Sequence, residues 1–179
     1  VLHTGKPHRI CLGRSQDRFF HLMAGVGLDG YIIGQTSPRL KKIMGVGAYW
    51  LAGWRHFWNA PLSRFDVDID GVVHQASFAV ISNCRYYGGH LSITPRASLF
   101  ENCLDVCLFT SINRSRFLTY LYGVSRGTHL SFPDVVYRKP NSVKIAGEST
   151  IPIQMDGELT GHLPLEVSTY SPGIEVIVP

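Results

Sequence analysis

A chain of 179 residues, 45% hydrophobic and 17% charged, is long enough to bury a substantial core and has no stretch with the composition of a disordered or low-complexity segment. Its net charge of +4 comes from scattered basic residues, with only Arg39, Lys41 and Lys42 gathered together. This argues against a nucleic-acid footprint and leaves a weak preference for anionic surfaces. No apolar run reaches the roughly 18 residues of a membrane span and no secretory leader precedes the first apolar segment, so membrane contact is expected to be peripheral.

The four cysteines, Cys11, Cys84, Cys103 and Cys107, lack metal-ligand spacing and are expected to be reduced thiols in a cytoplasmic protein. Val1 is not an initiator methionine and Leu2 to Gly13 reads as the middle of a folded segment, so the start is expected to be a cut or processed end.

Along the chain, Arg9 to Leu12 and Arg18 to Met23 are short apolar runs on either side of a turn-rich Gly13-Arg14-Ser15-Gln16-Asp17, which predicts two strands. Ser37-Pro38 supplies a cap and a first-turn proline, and Leu40, Ile43, Met44, Ala48, Leu51 and Ala52 recur at helical spacing, predicting a helix to about Trp58. Phe65, Val67 and Ile69 alternate with Asp66, Asp68 and Asp70; Asp70-Gly71 then predicts a hairpin into a strand from Val72 to Ser82.

Leu104 to Phe109 reads as a further strand. Asn113 or Ser115 caps a second helix through Phe117, Leu118, Leu121 and Val124 that stops at Gly127. Val135 to Tyr137, Ser142 to Ile145, Ile151 to Met155, Leu165 to Tyr170 and Ile174 to Val178 are short β-branched runs separated by Pro, Gly or Asn. Many short strands with two or three helices predict a mainly β, α+β fold: an antiparallel β-sandwich, not a parallel doubly wound sheet.

Gly25-x-Gly27-x-x-Gly30 matches the dinucleotide fingerprint after a predicted strand, but that motif needs a helix to begin at its glycines. Tyr31-Ile32-Ile33 reads instead as a continuing apolar run, with the helix delayed to Pro38, so close backbone packing is the expected use of these glycines. Asp29 inside the cluster has the composition of a turn aspartate.

Asp156-Gly157-Glu158 ends the alternation of Ile151, Ile153 and Met155 with a dipeptide that favours a tight hairpin. It is either a plain turn or a rigid tip whose two carboxylates perturb each other or share a cation. Asn83 to Gly89 is either a plain loop or, through Gly88 and Gly89, a place where backbone closely approaches a ligand. Glu101-Asn102 with Asp105 offers oxygens to a hard cation, although the pattern is weak. The eight histidines form no metal spacing, no Ser, His, Asp set can be assembled, and no phosphate-binding loop ending in Gly-Lys-Ser/Thr occurs.

Four segments occur together in order: Phe20 to Asp29; Ser82 to Gly89 with Pro95-x-Ala97; Leu104-Asp105-Val106; and Met155-Asp156-Gly157-Glu158. With the closing run from Ile174 to Pro179, they resemble the substrate-side, C-terminal domain of the diacylglycerol-kinase-like lipid kinases, a superfamily that includes the sphingosine kinases and shares an NAD-kinase-like fold. The resemblance spans nearly the whole chain.

It implies that residues 1–179 are one domain, the lipid-side half of an enzyme whose active site lies in a cleft against an N-terminal nucleotide domain. That domain's Gly-Gly-Asp-Gly-Thr loop is absent from this sequence. The implied chemistry is phosphoryl transfer from ATP, with Mg2+, to a lipid hydroxyl. By resemblance, Glu158 sits near the acceptor hydroxyl, Asp156 shapes the turn beside it, and Asp29 faces the lipid headgroup with Asn83, Gly88 and Gly89. The helix from Pro38 to Trp58 borders the acyl-chain pocket.

An accessory magnesium loop would use Glu101 with the carbonyls of Ser98 and Cys103, although Glu101-Asn102 replaces the family's usual Asp-Gly; His90, where the family has a small residue after Gly88-Gly89, is a second departure, at the pocket mouth. The implied partners are a lipid substrate, a membrane surface met peripherally, the nucleotide domain and a homodimer mate, with no nucleic acid. The chain alone is expected to be inactive. The competing readings are a non-catalytic lipid-binding sandwich and, from the glycine cluster, an oxidoreductase fragment that would bind NAD.

Overall fold

The computed structural model describes residues 5–35, 58, 60–87 and 91–178. Twelve strands form two six-stranded antiparallel sheets. The strands are β1 (Lys6–Ser15), β2 (Arg18–Phe20), β3 (Met23–Gly27), β4 (Phe65–Ile69), β5 (Val72–Ala76), β6 (Phe78–Ser82), β7 (Asp105–Phe109), β8 (Val135–Arg138), β9 (Ser142–Ala146), β10 (Pro152–Met155), β11 (Glu158–His162) and β12 (Leu165–Val178). Among the described residues two α-helices accompany them, α1 (Leu28–Gln35) and α2 (Arg114–Arg126), with a 3-10 turn at His129–Ser131. Sheet I runs β2-β1-β12-β9-β4-β5 and sheet II runs β11-β10-β3-β6-β7-β8.

Burial explains why the two sheets read differently as sequence. Strand β4 of sheet I buries Phe65, Val67 and Ile69 while Asp66 faces solvent, the alternation of a sheet with one wet face. In sheet II every residue of β3 and β7 is buried, because both faces are covered. Ala24, Val26, Ile81, Val106, Leu108 and Ile153 face sheet I across the main core. Met23, Val80, Cys107 and Phe109 point the other way into a second apolar layer with Leu28 of α1 and Phe117, Tyr120 and Val124 of α2.

Helix α2 forms where its punctuation predicts. The Asn113 side chain accepts the Ser115 amide at 2.9 Å and Gly127 ends the helix in the left-handed region at φ 69°. Its N-terminal turn is tied down by Arg116, which grips Asp134 through two hydrogen bonds of 2.8 and 2.6 Å while Tyr120 donates to the same carboxylate at 2.6 Å.

The structure corrects several sequence expectations. Arg18 to Met23 is two strands, β2 and β3, separated at His21 and Leu22. The expected strand from Val72 to Ser82 breaks at Ser77, where the chain leaves sheet I for sheet II; Ser77 fixes the crossing by donating its amide to Phe109 at 2.9 Å and its hydroxyl to the Ser111 carbonyl at 2.6 Å. The two expected strands after Leu165 are one, β12, which pairs with β1 along almost its whole length and shifts register between Ile10 and Leu12. A helix begins immediately after Gly27, where none was expected before Pro38. The predicted helix from Pro38 lies outside the described residues except for Trp58.

Candidate functional site

Strands β3 and β10 are paired with Gly25 opposite Gln154, and α1 leaves the end of β3 to pack over β10. A Cβ on Gly30 would stand 2.7 Å from the Pro152 carbonyl, so glycine lets the helix lie directly on the strand. This brings Asp29, in the first turn of α1, over the middle of β10.

Asp29 is 2% exposed. Gln154 donates to its Oδ2 at 2.6 Å and the Tyr87 phenol, from the loop after β6, donates to Oδ1. Gln154, itself 1% exposed, uses its other side-chain atom to accept the Gly157 amide at 2.8 Å. One buried amide therefore connects Asp29 to the turn between β10 and β11. A Cβ at Gly25 would overlap Asp29 Oδ2, and one at Gly27 would stand 2.6 Å from the Ser77 carbonyl. The room these glycines provide is thus taken by the protein's own groups, although a helix does start beside them.

The turn itself is Asp156-Gly157, with φ 50° and 84°, closely matching Asp70-Gly71 at 53° and 82°. Positive φ at both central residues is the two-residue hairpin geometry that favours this dipeptide. The two turns differ in what surrounds them. Asp156 Oδ1 accepts the amides of Leu22 at 2.9 Å and Met23 at 3.0 Å, and Oδ2 accepts the His21 amide at 2.9 Å, with His21 Nδ1 at 2.8 Å. The Asp156 amide returns a bond of 2.9 Å to the Met23 carbonyl. Its carboxylate therefore clamps the β2–β3 connection to the hairpin.

Glu158, the first residue of β11 and the partner of Met155, is exposed, and its carboxylate has no hydrogen bond or ion pair among the described residues. The structure gives the two carboxylates different work: one is committed to backbone, and the other stands free on a braced tip.

Asn83 is 1% exposed at the end of β6. Its amide donates to the Leu22 carbonyl at 3.0 Å and its Nδ2 to the Cys11 carbonyl at 3.3 Å, while Oδ1 has no partner among the described residues. Because both Asn83 and Asp156 hold Leu22, the loop after β6 and the hairpin tip meet at the same segment. Gly88 and Gly89 lie outside the described residues.

Glu101, Ser98 and Cys103 sit elsewhere, around the turn before β7. The Glu101 amide takes the Ser98 carbonyl at 3.1 Å, its Oε2 accepts Lys139 Nζ at 2.6 Å, and the Cys103 thiol lies 3.6 Å from the same oxygen. The Lys139 ammonium holds the Glu101 carboxyl below the usual carboxylate range. Among the described residues no group of three or more His, Cys, Asp or Glu side chains is arranged to hold a metal ion. Among them, too, no helix is long and apolar enough to cross a membrane.

The sequence pattern singles out the hairpin tip and Asp29 but not Gln154, and holds Tyr87 only as part of the segment Ser82 to Gly89. The only local signal for Gln154 is a polar residue between Ile153 and Met155 in a strand that is otherwise buried.

The diacylglycerol kinases of Staphylococcus carnosus (strain TM300) and Bacillus subtilis (strain 168) are 25% and 24% identical to this chain over 100% and 98% of its length. The chain spans 59% of the length of each. A crystal structure of a diacylglycerol kinase from Bacillus anthracis str. Sterne superposes with a TM-score of 0.70 at 19% identity, covering 97% of this chain and 57% of that one. The expected sandwich architecture is therefore found in solved structures. The family described as the YegS C-terminal NAD kinase beta sandwich-like domain matches residues 23–178, and the chain belongs to it.

Proposed function

We propose that this chain is the lipid-side domain of an ATP-dependent kinase that phosphorylates a lipid hydroxyl. The observation that carries the reading is Glu158: an exposed, unpartnered carboxylate on a turn braced by Asp156 and by the buried Gln154 to Asp29 link. A general base needs a free carboxylate held in place, and bracing of this kind supplies the placement. The naming of the relatives as diacylglycerol kinases supports the same chemistry.

In the proposed reaction Glu158 accepts the proton of the lipid hydroxyl as its oxygen bonds to the terminal phosphorus of ATP and the bond from that phosphorus to the bridging oxygen of ADP breaks. Magnesium bound with ATP supplies charge neutralisation at the transferring group. Asp156 fixes the loop at His21 to Met23 beside the tip. Asp29 backs the headgroup site through the Tyr87 phenol, and the buried Asn83 supports that site by holding Leu22. Gly88 and Gly89, by the resemblance, take part in binding the lipid headgroup.

ATP is held mainly by a nucleotide domain outside this chain, so the chain alone folds without turning over. The whole protein works in the cytoplasm as a peripheral visitor to the membrane, with a homodimer as its assembly.

The test is transfer of labelled phosphate from ATP to an extracted lipid pool by the whole protein, by its Glu158→Ala variant and by this chain alone. Label on a lipid that disappears in both of the latter supports the proposal. Label transferred by the chain alone refutes the division of labour. No label from a folded whole protein with magnesium present turns the reading to a lipid-binding sandwich without catalysis.

A further inference from the structure

The accessory magnesium loop implied by resemblance centres on Glu101, and the donors there are already engaged. Glu101 Oε2 receives Lys139 Nζ at 2.6 Å and the Cys103 thiol at 3.6 Å. The Ser98 carbonyl accepts the Glu101 amide, and Asn102 Oδ1 lies 3.6 Å from the Cys11 thiol. Behind Glu101, Asp105 is 1% exposed; Tyr137 donates to its Oδ1, while among the described residues Oδ2 has no hydrogen bond and faces Lys139 Nζ at 3.8 Å.

We propose that the Lys139 ammonium occupies the cation position of this loop, so that the chain dispenses with a divalent metal there. Lys139 comes from the segment between β8 and β9, and it bridges a half-exposed carboxylate and a buried one that belong to the approach to β7. This is the work of a structural cation: neutralising oxygens that converge from different segments and tying the segments together.

The site's chemistry argues against adding a metal. A divalent ion ligated by Glu101 would stand beside the ammonium, and displacing the ammonium would leave a cation on a long side chain without its partner. Arg96 stacks on the Tyr137 ring at 5.6 Å, adding a second positive charge on the Asp105 side. Asn102 adds no charge that would offset a second cation.

The proposal concerns folding energetics and stands or falls apart from the kinase reading. Its test is thermal unfolding of wild type, Lys139→Met and Glu101→Gln, each with EDTA, with millimolar magnesium chloride and with a monovalent salt of equal ionic strength. Wild type should melt at the same temperature in all three, and Lys139→Met should melt about 2–4 °C lower because Asp105 loses its counter-charge.

Restoration of the Lys139→Met loss by magnesium would further support a shared cation position. A magnesium-dependent rise in the wild type that Glu101→Gln abolishes would overturn the proposal, as would a Lys139→Met protein as stable as wild type. If Lys139→Met does not fold, the wild-type titration decides, with Glu101→Gln expected to fold and to ignore magnesium.

Discussion

Gln154 Nε2 and Asp29 Oδ2 meet at 2.6 Å although 125 residues separate them, in a part of the molecule that solvent does not reach. The contact joins α1 to β10, and through the second bond of the same side chain it reaches the amide of Gly157. The position of the hairpin tip is therefore set from the buried layer between α1 and sheet II.

Replacing Gln154 with Leu keeps the volume but leaves the Asp29 carboxylate short of a donor and the Gly157 amide short of an acceptor. We expect a loss of about 2–3 kcal/mol, read from the urea midpoint with unchanged m-value. Gln154→Glu should be worse at neutral pH than at pH 4, because two facing carboxylates force one to hold a proton. Equal stability of Gln154→Leu and wild type would show that the link does not brace the tip.

The two carboxylates of the turn should separate cleanly by stability. Asp156→Asn keeps a residue that tolerates positive φ but loses an acceptor for the amides at 21–23, and should cost about 1–2 kcal/mol in urea unfolding. Glu158→Gln, at an exposed site without partners, should stay within about 0.5 kcal/mol of wild type. A reversed order would show that Glu158 and not Asp156 holds the hairpin.

Gly25 is opposite Gln154 in the ladder, and a methyl group there overlaps the Asp29 carboxylate and comes within 2.7 Å of Gln154 Nε2. Gly25→Ala should destabilise by about 1–3 kcal/mol through overpacking. Its effect should shrink in the Gln154→Leu background, where the network it disturbs has already lost its amide, and a double-mutant cycle measures that coupling. Strict additivity would contradict the shared network.

Asp134 and His129 both contribute to the acid limb of stability. Hydrogen bonds from Arg116 hold the Asp134 carboxyl down at about 2, below the value of roughly 3.9 in an unfolded chain. The folded state thus releases this proton more readily, so its stabilisation is complete above about pH 4 and is lost as pH falls towards 2. The shift corresponds to about 2–3 kcal/mol, which solvent screening of a side chain 27% exposed reduces to roughly 1 kcal/mol. Burial pushes His129 below its ordinary value while its Nε2 keeps a bond of 2.9 Å to the Ile93 carbonyl. A base kept neutral in the fold contributes fully above about pH 6.5 and loses that contribution as pH falls below it. Asp134→Asn should flatten the stability profile between pH 4 and 2 only, and His129→Leu the slope just below pH 6.5, each read from urea midpoints across pH.

The sequence discloses the parts of the fold whose signal is local. Alternation at Phe65, Val67 and Ile69 marks a sheet with one wet face, and Asn113 with Gly127 brackets α2. Legibility ends where burial is two-sided. Tyr31-Ile32-Ile33 is apolar because α1 is wedged against β10 and the second apolar layer, and so short an apolar run carries no period to separate helix from strand. The break at Ser77 is equally silent, since the residues before and after it are strand in both cases and only the sheet changes. In the candidate site, the Asp-Gly dipeptide announces the hairpin, yet the same dipeptide at Asp70 makes an ordinary turn. What distinguishes Asp156 is the loop at 21–23, and what gives Asp29 its partners is Tyr87 and Gln154, all brought together by topology across 58 to 135 residues of chain.

Strand β1 pairs with β12, the earliest described strand with the latest, while β4 and β9 lie beyond β12 in the same sheet. During synthesis, then, sheet I cannot be closed across β1 and β9 until β12 has been made. Sheet II can zip β3, β6, β7 and β8 together much sooner, since their neighbours are already available. Contacts of such long sequence separation close slowly, because loop entropy must be overcome before any pairing rewards it. Until β12 arrives, β2-β1 and β9-β4-β5 remain separate pieces and the apolar inner face of sheet II is covered only in part, which makes this interval of biogenesis the one most exposed to aggregation.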